Sequence, residues 1–126
     1  MPIGNAKMAG IAAEDIGKCA YGIFKNGDEY FDKNVGIAGE HLSGVQMADA
    51  LSNALGEPVV YNNIPAAVYR SFGFPGAEDL GNMFQIYDEF EEQVNGLRDV
   101  KVSKQLNPAL QNLEQWLAQN AKLIPL

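Results

Sequence analysis

Apolar residues recur at helical spacing in five segments of the chain. The first segment, residues 13–24, predicts a helix with four apolar side chains on its buried face: Ile16, Ala20, Ile23 and Phe24. Ser43 and Gln46 have the spacing of a capping box, which predicts the start of a second helix, and Gly56 is suited to its C-terminal end. These periodicities indicate a mainly helical protein.

The other three segments lie in the second half of the chain. Pro65 opens a short helix, because the first helical turn tolerates a residue without an N–H. Residues 77–94 form the longest segment, and six of its side chains are predicted to be buried: Leu80, Met83, Phe84, Tyr87, Phe90 and Val94. Asn107 or Asn112 caps the last helix, and its apolar side consists of Leu113, Trp116 and Leu117.

Two short apolar runs, residues 35–38 and 58–61, predict strands. Two strands alone would leave exposed edges, so either residues 8–12 and 100–102 add strands or a partner completes the sheet. The predicted fold class is therefore α/β, mainly helical with a small sheet.

The composition fits one domain spanning residues 1–126, with 47% hydrophobic and 20% charged residues. The formal charge of −7 argues against binding to nucleic acid or anionic lipid, which needs clustered basic residues. We find neither a secretory signal nor an apolar run long enough for a membrane span, and one cysteine suits a reducing compartment. We therefore predict a cytoplasmic protein, with a nuclear location also open.

Motifs for nucleotide binding are incomplete. Gly36 and Gly39 begin a glycine-rich spacing, but Leu42 stands where the last glycine of a dinucleotide loop belongs. Tyr21 and Lys25 match the Y-x-x-x-K pair of short-chain dehydrogenases, yet no glycine-rich loop precedes them, so we interpret Tyr21 as a partly buried packing residue.

The remaining reactive residues are interpreted as structural. Cys19 lies beside apolar residues of the first helix and is predicted to be a small core residue. His41 precedes a helix start and is predicted to be a loop or cap residue. The acidic run of Asp88, Glu89, Glu91 and Glu92 is typical of a solvated helix face. We expect no catalytic, cofactor-binding or metal-ligating residue in this chain.

Three segments of the chain resemble the NmrA-like family, atypical relatives of the short-chain dehydrogenases. Residues 73–84 read GFPGAEDLGNMF and are similar to the family stretch G-F-P-G-A-x-D-L-x-N-M-F. Residues 11–17 (IAAEDIG) resemble its v-s-x-x-D-[IL]-G helix opening, and LNP at 106–108 with LEQWL at 113–117 resembles its closing motif. The similarity is greatest to animal NmrA-like domain-containing proteins.

The resemblance implies a particular portion of a longer protein. Family members are at least about twice this length and begin with a glycine-rich unit that binds NADP, so the chain resembles the C-terminal, substrate-side portion of a Rossmann-type protein without its Gly-rich half. Whether such a truncation is natural is left open. No NADP-binding residue of the family can be placed on this chain.

The resemblance leaves two main functions open. The first is a non-catalytic module that acts through protein contacts, as a homo-oligomer or with a complementary chain, in a family of NADP-binding, redox-sensing regulators. The alternative is the substrate-pocket half of an NADPH-dependent oxidoreductase, and a small domain binding an unrelated acidic or aromatic ligand is a third class. Six residues are expected to line a pocket or interface: Tyr69, Phe72, Phe74, Pro75, Met83 and Phe84.

Overall fold

A computed structural model of the chain describes residues 1–125 and confirms a mainly helical fold with a small sheet. The strands are β1 (Lys7–Gly10) and β2 (Glu40–Ser43). The helices are α1 (Ala13–Asn26), α2 (Gly44–Leu55), α3 (Ala66–Arg70), α4 (Ala77–Glu89), α5 (Glu91–Gly96), α6 (Val100–Leu106) and α7 (Leu113–Asn120). Single 3-10 turns occupy Gly27–Tyr30 and Ala121–Leu123. Within residues 1–125, no helix combines the length and apolarity that crossing a membrane requires.

The sheet is an antiparallel pair in which Met8 lies opposite Leu42 and Ala9 opposite His41. The strand expected within residues 8–12 is thus confirmed at Lys7–Gly10. The strands predicted at 35–38 and 58–61 are wrong, because serine side chains satisfy backbone groups there in place of a neighbouring strand. The Ala38 N–H donates to Ser103 Oγ (2.9 Å), and the Val59 N–H donates to Ser52 Oγ (2.8 Å). Residues 100–102, the other candidate strand, belong to α6.

Local capping signals are confirmed in two helices. Ser43 and Gln46 form the predicted capping box of α2, and the helix ends at Gly56 in the left-handed conformation (φ 72°). Of the two candidate caps for α7, Asn112 is the one used, and it forms a second capping box with Gln115. The side chains of these caps satisfy N–H groups that have no partner inside the helix.

The predicted long helix at 77–94 is interrupted at Phe90, which separates α4 from α5. The break turns α5 toward β1, where Glu91 accepts the Lys7 N–H (2.9 Å) and Asn95 donates to the Lys7 carbonyl (2.8 Å). Phe84 is buried as predicted, whereas Leu80 (37% exposed) and Phe90 (48% exposed) are not.

Helix α1 buries a different face from the one its apolar spacing predicts. Its buried residues are Asp15, Cys19 and Gly22, whereas Ile16 and Phe24 are 47% and 83% exposed. Gly22 lies against α6 so closely that an added Cβ would be within 2.3 Å of the Leu106 carbonyl oxygen. The absence of a side chain at Gly22 therefore sets the orientation of α1, which leaves Ile16 and Phe24 exposed while Ile23 still packs against the core.

The core confirms the structural interpretation of Cys19. This residue is fully buried and clusters with Leu106 and Leu110 of the C-terminal part of the chain. Burial is the main cause that raises the pKa of the Cys19 thiol, and the negative charge of the nearby Asp15 carboxylate raises it further. A thiolate nucleophile requires a lowered pKa instead.

Candidate functional site

An apolar cleft of about 450 Å³ opens between the sheet, the start of α1, and helices α2 and α7. The large apolar residues that line it come from four parts of the chain: Met1, Met8, Ile11, Leu42, Met47, Leu113 and Trp116. Met8 and Leu42 reach it together because they lie opposite each other in the sheet. A concave apolar site of this size is typical of small-molecule pockets and of grooves that accept a partner's side chains.

The cleft's polar lining is dominated by acceptors. Glu40 Oε2 accepts the Leu113 N–H at the start of α7 (3.0 Å), and a Glu14 carboxylate oxygen accepts a hydrogen bond from Gln111 Nε2. The first N–H of α7, a group that could otherwise bind a phosphate, is thus already paired with a carboxylate. The two carboxylates favour a neutral or cationic group in the cleft over an anionic one.

A buried polar network lies behind the cleft. The Asp15 carboxylate is fully buried and accepts hydrogen bonds from the Gln111 N–H (2.9 Å), Asn107 Nδ2 (3.0 Å) and Lys18 Nζ (2.9 Å). Burial raises the pKa of Asp15, but the bonds from Gln111, Lys18 and Asn107 outweigh it, and the net pKa lies below the usual value of 3.8.

This network explains two of the sequence motifs. Asp15 belongs to the D-I-G segment and Asn107 to the L-N-P segment, 92 residues later, and the two side chains meet directly. Asp15 also accepts the backbone N–H of Gln111, whose side chain lines the cleft. The motif residues therefore fasten the start of α1 to the segment before α7, and this attachment positions one wall of the cleft.

The predicted pocket residues form a separate aromatic cluster. Tyr69 contacts Phe72, Phe74 and Phe84 with ring centroids 5.5–5.7 Å apart. Phe72 and Phe74 remain exposed, and none of the six predicted residues lines the apolar cleft. Pro75 is exposed and Met83 is half-buried. A pocket or interface role for the cluster stays a prediction.

Other candidate residues are dispersed over the fold. His41 lies in β2, where its Nε2–H donates to the Arg98 carbonyl (2.9 Å), so its prediction as a loop or cap residue was wrong. Tyr21 is 69% exposed, which corrects its assignment as a partly buried aromatic. Gly36 and Gly39 pack against backbone, since a Cβ would lie 1.8 Å from the Leu97 oxygen and 2.8 Å from the Gln111 oxygen, respectively. Close backbone packing accounts for both glycines.

A second candidate surface is the outer face of α1, defined by Ala13, Ile16, Gly17, Ala20, Tyr21 and Phe24. Each of these residues is exposed, and three of them have large apolar or aromatic side chains. Three residues of the apolar stripe predicted to be buried, Ile16, Ala20 and Phe24, belong to this face, whereas the fourth, Ile23, packs against the core as predicted. A contiguous exposed stripe of this kind is typical of a protein-contact surface.

A model of the NmrA-like family matches residues 1–117, and the chain belongs to this family. The chain is similar to the crystal structure of NmrA, a negative transcriptional regulator, in complex with NAD: identity is 21%, the TM-score is 0.70, and the match covers 93% of this chain and 40% of that one. It is also similar to a nucleoside-diphosphate-sugar epimerase from Staphylococcus aureus, with 21% identity, a TM-score of 0.68, and coverage of 94% and 42%, respectively. The chain thus spans about two fifths of the length of these structures, with which it shares a fold.

Proposed function

We propose that this chain is the C-terminal portion of an NmrA-like protein and acts as a non-catalytic module through contacts with protein. The observation that carries this proposal is the uncovered apolar face of α1, where Phe24 is 83% exposed and Tyr21 69% exposed. Removing such side chains from water is the main favourable contribution to most protein association. The match to about 40% of NmrA, described as a negative transcriptional regulator, supports a regulatory role.

The remaining parts of the proposal concern the group of regulators, the location and the cofactor, and they rest on the family resemblance. We place the chain in a group of NADP-binding, redox-sensing regulators, nearest to the animal members, with a cytoplasmic location. The cofactor itself would be bound by a glycine-rich part of the full-length protein. In the residues that the structure describes, the glycines nearest to a phosphate-loop spacing are packed against the backbone of other segments.

A second candidate function is favoured by the apolar cleft. Its volume of about 450 Å³ and its few polar groups would suit a small molecule, as the substrate-pocket half of an NADPH-dependent oxidoreductase. Such a substrate would be neutral or cationic where it meets Glu14 and Glu40. The pocket would then lie at residues 1–14, 40–47 and 111–116, away from the aromatic cluster.

We expect no saturable NADPH binding by this chain up to about 1 mM, a dissociation constant equivalent to roughly −4 kcal/mol. Trp116 is the only tryptophan and lines the cleft, so its fluorescence reports directly on occupancy of that site. N-acetyltryptophanamide corrects for absorption by the nucleotide, and NmrA titrated with NAD serves as the positive control.

Two results would contradict the non-catalytic module. The first is saturable NADPH binding well below 1 mM in this titration. The second, in a separate assay, is oxidation of NADPH by this chain when neutral quinones or aromatic ketones are added. If a neutral naphthylamine probe quenches the fluorescence of Trp116 while NADPH does not bind, the cleft is a ligand site. The protein-contact proposal would still stand in that case.

A further inference from the structure

The outer face of α1 has a shape that can be complementary to itself. Phe24 projects from the helix at 83% exposure, whereas Gly17 lies two turns earlier on the same face. An added Cβ at Gly17 would meet nothing within 4 Å, so the space above it is open. Gly17 also borders an open hollow of about 480 Å³ that Glu14, Tyr21 and Lys25 help to line.

Two copies of α1 packed antiparallel would bring these features together. With Ala20 and Tyr21 at the twofold axis, Phe24 of each copy lies opposite Gly17 of the other. The twofold symmetry makes this contact occur twice, because each copy places its Phe24 ring in the open space above Gly17 of the other copy. Such a self-complementary contact is what an isologous interface requires. Small residues on the same face, Ala13 and Ala20, allow the two helices to approach closely.

The charges on this face match the same arrangement. Glu14 and Lys25 lie on the same flank of α1, one near each end, and both are exposed. In an antiparallel pair the same flanks of the two helices adjoin, so Glu14 of one copy lies near Lys25 of the other. A parallel twofold pair would place the two flanks on opposite sides of the contact, so Glu14 of one copy and Lys25 of the other would not meet.

We propose that the outer face of α1 binds a second copy of this chain in an antiparallel, twofold arrangement with Phe24 opposite Gly17 of the partner copy. This inference rests on the proposed protein-contact function and names the partner. Each copy carries a formal charge of −7, so association is expected to need physiological ionic strength, where the Debye length is about 8 Å. A contact of one helix face is small, and we expect a dissociation constant of about 10–100 µM.

Sedimentation equilibrium of the full chain from 5 to 500 µM, with the Gly17→Leu variant, tests the shape argument. Leucine fills the open position and favours helix, so the variant should be at least as heat-stable as the wild type yet dimerise at least tenfold more weakly. A wild type that stays monomeric at 500 µM would overturn the inference, as would a Gly17→Leu variant that dimerises equally well.

Charge exchange tests the antiparallel register. Lys25→Glu should weaken the dimer about three- to tenfold, and the double variant Glu14→Lys/Lys25→Glu should recover most of that loss. Lys33→Glu, an exposed charge outside α1, is the matched control and should have less effect. Failure of the double variant to recover dimerisation would overturn this register. The NADPH titration tests the proposed function separately, because its outcome does not depend on which surface dimerises.

Discussion

Replacing Asn107 by aspartate is expected to destabilise the fold by about 3–5 kcal/mol at neutral pH, the range seen when a buried charge loses its compensation. Asn107 is 5% exposed, and its Nδ2 donates to the fully buried Asp15 carboxylate at 3.0 Å. The substitution replaces that donor with a second carboxylate. Urea unfolding followed by circular dichroism at pH 7 measures the loss, and Asn62→Asp, at an exposed position, should change stability by less than about 0.5 kcal/mol.

The pH dependence identifies the cause of this loss. In wild type the folded-state pKa of Asp15 is lowered, so its contribution to stability is present above pH 3.8 and is lost as the pH falls through the folded pKa. In Asn107→Asp one carboxyl of the pair is expected to have a raised pKa, so its penalty should shrink as the pH falls and that carboxyl is protonated. The double variant Asp15→Asn/Asn107→Asp should recover part of the stability at pH 7. A penalty of equal size at pH 7 and pH 4.5 would contradict the carboxylate pair.

Truncating Leu117 is expected to destabilise the protein by about 2–5 kcal/mol, because Leu117→Ala leaves a cavity in the core. Leu117 lies in α7 and is 1% exposed, whereas its neighbour Trp116 faces the cleft. Leu123→Ala, at a position 78% exposed, is the matched control and should be nearly neutral. Unfolding of both variants in urea checks the difference. A Leu117→Ala variant within 0.5 kcal/mol of Leu123→Ala would contradict the assignment of this residue to the core.

The parts of the fold that the sequence predicts well are those that neighbouring residues determine. Ser43 with Gln46 and Asn112 with Gln115 each complete a capping box within three residues, so their helix starts need no tertiary information. The strands at 35–38 and 58–61 failed for the opposite reason. The backbone N–H groups of Ala38 and Val59 donate to the side chains of Ser103 and Ser52, and composition does not reveal such pairings.

The orientation of α1 could not be predicted from periodicity. Hydrophobicity assigns Ile16 and Phe24 to the core, but the close contact of Gly22 with Leu106 and the hydrogen bonds of Asp15 bury the other side. Asp15 can be buried because hydrogen bonds satisfy its carboxylate, and two of the donors, Asn107 and Gln111, lie more than 90 positions away in the sequence. The motif resemblance did contain Asp15 and Asn107, although it did not indicate that they touch.

The cleft was missed because its walls come from four separate parts of the chain. Leu113 and Trp116 are spaced for one helix face, but their neighbours Met8 and Leu42 depend on a sheet register that the misplaced strand at 35–38 concealed. The aromatic residues predicted to line a pocket or interface do contact one another around Tyr69, but their role there stays a prediction.

Amide chemical-shift mapping on dilution tests the protein-contact account most directly. ¹H–¹⁵N spectra of the uniformly labelled chain, recorded from 1 mM to 20 µM, report which surface leaves its partner as the dimer dissociates. We expect concentration-dependent shifts concentrated at Ile16, Gly17, Ala20, Tyr21 and Phe24, with the aromatic cluster around Tyr69 unchanged. Spectra that do not change with concentration, or shifts confined to that aromatic cluster, would contradict self-association through the outer face of α1.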